Sequence, residues 1–382
     1  MPRSYSGAVT TPEIAIPHQL LPRYGRFGSG PSKVRPAQVN TVAALGASLL
    51  GTSHRQAPVR DVVRRVREGV AGLLELPAGY EVALGNGGST AFWDMATFSL
   101  VSHRASHAVF GEFGGKFARA TSRAPFLADS LVTHAEPGSV ALPEEADDVD
   151  VYAWPHNETS TGALAPVQRI GTAPESLVVV DGTSAAGAVP FDVAATDAYY
   201  FAPQKVFGAD GGLWLAVLSP AAVERAERLA RERWIPEFLD LSVAITNSRL
   251  EQTLNTPALA TLVLLAEQVE WLDRHGGVAW AAQRAKESSE HLYAWAEERP
   301  WASPFVQEVA HRSPVVVTID LDETLDAKVV VDVLRANGVL DVFPYRKLGR
   351  NQLRVATFPS IEPEDVAALT ACVDHVVERL LG

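Results

Sequence analysis

A chain of 382 residues, 47% hydrophobic and with 28 glycines against 25 prolines, is long enough for two domains with substantial cores and has no signature of disorder. The formal charge of −12, from 33 Lys and Arg against 45 Asp and Glu without any long basic run, argues against nucleic acid or an anionic membrane as partner. A single cysteine, Cys372, excludes an intrachain disulfide framework and a multi-cysteine zinc site and fits a reducing compartment. No apolar run reaches the ~20 residues of a membrane span. The start, MPRSYSGAVTTPEIAIPHQL, lacks the compact apolar core of a secretory signal. A cytoplasmic location is the expectation.

Residues 1–36, which include "FGSGPSKVRP", are rich in proline and turn formers and read as an irregular arm packed on another part of the molecule. In "PVRDVVRRVREGVAGLLEL", Val59, Val62, Val63, Val66, Val70, Leu73 and Leu74 recur at helical spacing with arginines between them, which predicts an amphipathic helix. Short apolar runs follow: "YEVAL" near 80, "HAVF" near 107, "DVDVYAW" near 149, "SLVVVD" near 176, "AYYFA" near 198 and "GLWLAVL" near 212. Several are apolar at consecutive positions, as strands covered on both faces must be, so a mainly parallel sheet is predicted. After helical stretches around 257–298, the pattern restarts as "SPVVVTIDL", a helix over "TLDAKVVVDVLRANG", the strand-like "QLRVATF" and a last helix, "EDVAALTACVDHVVERLL". These elements predict a smaller C-terminal α/β domain, with the boundary near 270–300.

Lys205 stands in "YFAPQKVFGADGGLW", between an aromatic strand and a glycine-rich turn. Most lysines at strand ends extend their ammonium to water. One held in such apolar surroundings is desolvated and has a lowered pKa, which makes an amine able to form a Schiff base with an aldehyde. An aldehyde cofactor such as pyridoxal phosphate also needs a carboxylate beside its pyridine nitrogen. Asp181 ends "SLVVVDG", at what would be the carboxyl edge of the sheet, although an Asp there also commonly opens a turn. The pair Asp181 and Lys205 is a stronger signal than either alone. In "GNGGSTAFWDMATF" a strand runs into glycines, then Ser89 and Thr90, then a helix, an arrangement whose free N–H groups favour a phosphate. Its spacing does not match the dinucleotide or nucleoside-triphosphate fingerprints. Phe113 in "GEFGGKF" is placed either to stack on a ring or to fill the core, and Asn157 and Thr159 in "HNETSTG" are polar groups just past a strand.

With these residues in order, the chain resembles the phosphoserine aminotransferases, in their actinobacterial form, within the class V group of fold type I pyridoxal-phosphate enzymes. The segments that carry the resemblance span nearly the whole chain: "FGSGPSKVRP", "GTSHRQAP", "GNGGSTAFWD", "GEFGGKFA", "PHNETSTG", "VVVDGTSAAGAVPFD", "FAPQKVFGADGG", "TLNTPALAT" and "LRVATFPSI". The resemblance implies an α/β fold in which a large domain (31–275) holds a mainly parallel seven-stranded sheet. It further implies a small C-terminal domain (276–382) and an arm (1–30) that packs on it. Lys205 matches the Schiff-base lysine and Asp181 the partner of the pyridine nitrogen. Gly88, Ser89, Thr90 and Gln204 match phosphate contacts, with Phe113 and Thr159 beside the cofactor. Asn255 and Thr256 in "TLNTP" resemble a pair that reaches the cofactor phosphate from the other subunit of a homodimer. His54 and Arg55 resemble the pair that binds the substrate's phosphate, again across the interface, and Arg354 the arginine that clamps the substrate carboxylate through two parallel hydrogen bonds. Many members have tryptophan at the place of Phe113 and an arginine in the phosphate turn, where this chain has "GGST". Arg346, Lys347 and Arg350 in "YRKLGRNQ", and less so Lys116, are candidates to supply the missing cation.

The implied reaction is amino transfer between glutamate and 3-phosphohydroxypyruvate, giving O-phosphoserine and 2-oxoglutarate for serine biosynthesis, with a phosphorylated keto acid of pyridoxine biosynthesis as a second possible substrate. Three rivals share parts of this pattern. A cysteine desulfurase would need a mobile thiol, and Cys372 sits in an amphipathic helix. An aminotransferase for an unphosphorylated keto acid such as glyoxylate would leave His54 and Arg55 without a task. A non-catalytic pyridoxal-phosphate-binding regulator would normally carry a DNA-binding module, and no basic helix-turn-helix segment is present.

Overall fold

The computed structural model describes residues 12–382. The strands are β1 Glu81–Asn86, β2 Ala105–Val109, β3 Leu131–His134, β4 Val151–Pro155, β5 Asn157–Glu158, β6 Ala163–Leu164, β7 Leu177–Asp181, β8 Ala198–Phe201, β9 Leu213–Leu218, β10 Ala302–Pro304, β11 Val316–Leu321 and β12 Gln352–Ala356. The helices are α1 Pro36–Leu49, α2 Ala57–Leu73, α3 Gly88–Ser99, α4 Glu112–Ser122, α5 Pro220–Glu232, α6 Leu241–Arg249, α7 Leu259–Arg274, α8 Gly277–Glu297, α9 Ala327–Ala336 and α10 Pro363–Leu381.

Seven strands form one sheet in the order β1-β9-β8-β7-β4-β2-β3. Strands β3, β2, β4, β7 and β8 run parallel, and β9 is antiparallel to both of its neighbours. The turn-rich stretch 202–212 between β8 and β9 holds no crossover helix, so the chain can only return antiparallel. Helices cover both faces. Along β7, Val178 and Val180 pack with α2 and α7, whereas Leu177 and Val179 face Phe92 of α3 and Ala226 of α5, the alternation a two-sided strand requires.

The second sheet is β10-β11-β12, antiparallel, with α8, α9 and α10 packed around it. The expected division at 275/276 falls between the end of α7 and the start of α8. Residues 1–11 of the expected arm lie outside the described residues. From Ile16 to Phe27 the chain lies along the small sheet and its helices: Ile16 N–H donates to Asn337, Phe27 N–H to the Leu340 carbonyl, and the Phe27 carbonyl accepts from Ala356 N–H. No helix among the described residues is long and apolar enough to cross a membrane.

Among the elements that escaped the sequence pattern, β3 and α1 have the clearest physical reasons. Strand β3 is an edge strand, only half-buried, so it needs no apolar run. Helix α1 fully buries only Gln38 and Leu49; Val42 and Leu45 pack half-buried on the core, and Val39, Ala43, Ala44 and Ala47 are exposed, so its short inward stripe is masked by apolar residues on the outer face. Its one polar anchor reaches the loop after Lys205: the Gln38 amide donates to the carbonyls of Leu264 (2.9 Å), Gly208 (3.2 Å) and Phe207 (3.3 Å). Gln38 Oε1 meanwhile accepts from Arg35 N–H at 2.8 Å. Replacing Gln38 by Ala strands these buried carbonyls and should lower the unfolding free energy by about 2–3 kcal/mol, read by chemical denaturation. Unchanged stability would show that the loop does not depend on α1.

Candidate active site

The strands β1, β2, β4, β7 and β8, which share one direction, each deliver a polar or aromatic group at or beyond the carboxyl end, where open α/β sheets bind ligands. From β1 come Gly88–Thr90, from β2 Phe113, from β4 Asn157 and Thr159, from β7 Asp181, and from β8 Gln204 and Lys205. All of them line one cavity of ≈ 430 Å³, which Gly30 and Pro31 close from the side of the arm.

Lys205 is buried, at 8% exposure, and its Nζ donates to the Ser29 carbonyl at 2.6 Å. Burial lowers its pKa to about 7; the Arg354 charge pushes the same way, and Asp181 and Glu158 oppose. Gly30 permits this close approach, because a Cβ there would fall 2.2 Å from Nζ, and its φ of +148° also favours glycine. Ser32 fixes the lysine's own backbone, with its hydroxyl donating to the Lys205 carbonyl (2.5 Å) and its N–H to that of Gln204 (2.8 Å).

Asp181, the last residue of β7, accepts from Thr183 N–H at 2.9 Å. Burial raises its pKa, and hydrogen bonds from Thr183, Tyr200 and Trp93 work against that rise. Trp93 Nε1 in turn donates to the Tyr200 hydroxyl at 2.9 Å, so a row of buried donors backs the carboxylate. Helix α3 opens on Gly87, with φ +117°, and no side chain caps it. Its first N–H groups therefore face the cavity unclaimed by a cap, with Ser89 Oγ 2.7 Å from Thr183 Oγ1.

Thr159 and Asn157 both donate to Ser184 Oγ at 2.8 Å. The Thr159 carbonyl accepts from Arg354 Nη1 at 3.1 Å. Arg354 is 9% exposed, lies over the Tyr345 ring (5.4 Å to its centroid) and has its pKa lowered to about 10 by burial. The Phe113 ring centroid is 5.7 Å from Lys205 Nζ.

The expected residues His54, Arg55, Asn255, Thr256, Arg346, Lys347 and Arg354 do not line this cavity, although Arg354 reaches its wall through the Thr159 carbonyl. His54 and Arg55 lie between α1 and α2, with His54 Nδ1 3.3 Å from Thr256 Oγ1. Asn255 and Thr256 are exposed, and Asn86 Nδ2 donates to Asn255 Oδ1 and the Thr256 carbonyl. Among the loop cations, Arg350 is bound to Asp320 through two nitrogens and Lys347 Nζ sits 2.5 Å from Glu112. Arg346 is exposed, whereas Lys116 Nζ lies 5.0 Å from the Phe113 ring centroid.

The sequence reading passed over Ser29 and Gly30, which press on Lys205, and over Trp93, Thr183, Tyr345 and the buried Glu158. A Gly-Ser-Gly-Pro run inside an arm carries no mark of facing a distant lysine. Glu158 was legible only as one polar residue among several.

The donor set fits pyridoxal phosphate. An aldehyde meets a buried amine of lowered pKa, a phosphate meets an uncapped helix start, and a pyridinium meets a buried carboxylate. Gln204 Oε1, Asn157 Oδ1 and Arg354 Nε are buried without hydrogen-bond partners, and all three belong to residues at or next to the cavity.

Fold and site together define an aminotransferase of class V, and the family model for aminotransferase class-V matches residues 142–340. The chain is 57% identical over 369 residues to a relative from Mycobacterium sp. (strain KMS), covering 96% of this chain and 100% of the relative. It is 56% identical over 373 residues to the phosphoserine aminotransferase of Nocardioides sp. (strain ATCC BAA-499 / JS614), covering 97% and 100%. It thus belongs to the phosphoserine aminotransferase family. Among solved structures, a phosphoserine aminotransferase from Cytophaga hutchinsonii superimposes with a TM-score of 0.84 at 22% identity, covering 92% of this chain and 98% of that one, a likeness of fold.

In protein free of cofactor, the Lys205 amine should gain reactivity toward small aldehydes as pH rises through about 7, because the lowered pKa leaves it neutral above that value. The unfolded chain would keep the proton up to the ordinary lysine range, so this group also makes stability rise between those two pH values. Reductive methylation with peptide mapping reads the first effect. A midpoint near the ordinary lysine value would contradict the burial argument.

Proposed function

We propose that the protein transfers an amino group from glutamate to 3-phosphohydroxypyruvate, giving O-phosphoserine and 2-oxoglutarate, in a homodimer whose active sites are shared. The observation that carries this reading is the buried Lys205 amine facing one cavity with Asp181, Phe113 and the uncapped start of α3.

The cofactor is pyridoxal phosphate. When bound, it supplies an aldehyde and an electron-poor ring that takes up the electron pair left when an α-proton is removed. Lys205 Nζ would be the base that takes this proton from the substrate Cα and the acid that returns it two atoms along, a task suited to a group whose pKa lies near 7. Asp181 holds a proton on the ring nitrogen. The N–H groups of Gly88–Thr90, with Gln204, hold the phosphate, and Phe113 flanks the ring and excludes water. Arg354 receives the α-carboxylate of either substrate. Its unpaired Nε and its shallow tie to one backbone carbonyl leave the guanidinium fork available.

Two features support the shared site. Asn255, Thr256, His54 and Arg55 carry the chemistry of anion binding yet none lines the cavity of its own chain. Beside them α1 exposes an apolar surface, with Val39 53% and Leu50 44% accessible, of the kind a second copy covers. In the dimer, His54 and Arg55 bind the substrate phosphate, which distinguishes this reading from an enzyme for glyoxylate.

Assays of amino transfer from glutamate to 3-phosphohydroxypyruvate and to hydroxypyruvate test it side by side. The phosphorylated acid should be preferred, and Arg55→Ala should erase most of that preference by losing about 2 kcal/mol of charge-assisted binding. Equal rates on both acids with the unaltered enzyme would overturn the substrate assignment.

A further inference from the structure

Glu158 has no part in the reaction as derived, yet it is fully buried beside the site. Asn157 and Glu158 form the short strand β5, and Thr159 begins the turn that follows it. Asn157 and Thr159 face the cavity, and Glu158 points the other way, toward α4. Its Oε2 accepts from the N–H groups of Phe113 (3.0 Å) and Gly114 (3.1 Å), and its Oε1 from Ser160 N–H (3.1 Å) and Ser160 Oγ (2.6 Å). Among the described residues no Lys or Arg forms an ion pair with it. Burying a carboxylate without a cation is costly, and here four donors and the positive end of α4 offset that cost. Gly111 is shaped to this contact, since a Cβ there would lie 2.3 Å from Glu158 Cγ and 2.6 Å from Ser160 Oγ. Ser160 Oγ also accepts from Glu112 N–H at 3.1 Å, so the whole first turn of α4 is tied to the segment that carries Thr159.

We propose that Glu158 is a positioning residue that works through Phe113, its carboxylate pinning the first turn of α4 so that the aromatic ring is held against the cofactor. This rests on the reading that Phe113 flanks pyridoxal phosphate. Without the pin, the N–H groups of Phe113 and Gly114 would lose their acceptor, the turn would be tied to this segment by the single Glu112 N–H to Ser160 Oγ bond, and the ring could withdraw from the cavity.

The test uses the holoenzyme and its Glu158→Gln variant, which keeps the shape but turns one acceptor into a donor opposite N–H groups. Loss of a hydrogen bond to a charged group should weaken pyridoxal phosphate binding about tenfold and lower kcat by about the same factor. The visible circular dichroism of the cofactor should weaken, and the KM for glutamate should change less than twofold. In a Phe113→Leu background the same substitution should have little further effect on cofactor affinity or dichroism. Should Glu158→Gln fail to fold, Ser160→Ala, which removes one donor from the carboxylate, gives the same pattern at smaller size. Unchanged dichroism and affinity in either variant, or an equal loss with and without Phe113, would overturn the proposal. These signals come from the cofactor alone, so they stand even if the substrate assignment fails.

Discussion

The site depends on keeping a lysine amine out of water. Lys205 is placed where the chain turns back from β8 to the antiparallel β9, with its backbone held by Ser32 and its Nζ against the Ser29 carbonyl. An ammonium in that position pays the full penalty of burial, so the amine is poised to lose its proton. Gly30 makes the contact sterically possible, Gln38 braces the loop behind it, and the sheet brings Asp181 to the neighbouring strand end. The segment around Phe27–Ser32 therefore belongs to the active site as much as to the arm.

Charge around this amine is arranged in opposed pairs. Asp181 and Glu158 are buried carboxylates on one side, and Arg354 and Lys205 are buried cations on the other. None of the four forms a close ion pair with another. Each is instead held by backbone or hydroxyl partners, with Asp181 and Lys205 facing the cavity and Glu158 facing the start of α4. A ligand bearing a phosphate, a pyridine nitrogen and an aldehyde complements the uncapped start of α3, Asp181 and Lys205 in turn. In an acidic protein this local arrangement, and not the net charge, makes the anion site.

Much of this was legible in the sequence, for a physical reason. Strands covered on both faces must be apolar at consecutive positions, so β4, β7, β8 and β9 announce themselves, and the residues at or just past the ends of the parallel β4, β7 and β8 fall at one carboxyl edge. That rule singled out Asp181 and Lys205, which the structure brings to one cavity with the glycine-rich start of α3, the segment read as a phosphate turn. It could not find β3, which has one wet side, or α1, whose inward stripe of Val42, Leu45 and Leu49 is masked by an apolar outer face. Gly30 and Glu158 were hidden for a different reason: both owe their importance to a partner far along the chain, Lys205 for one and the start of α4 for the other. His54 and Arg55 illustrate the remaining limit, since their expected task depends on a second chain.

The most direct test of the account is to reduce the holoenzyme with borohydride and map the peptide that carries the cofactor. The account predicts the pyridoxyl group on Lys205 and on no other residue. A label on another lysine such as Lys116, or no covalent label at all in a protein that holds the cofactor, would contradict it.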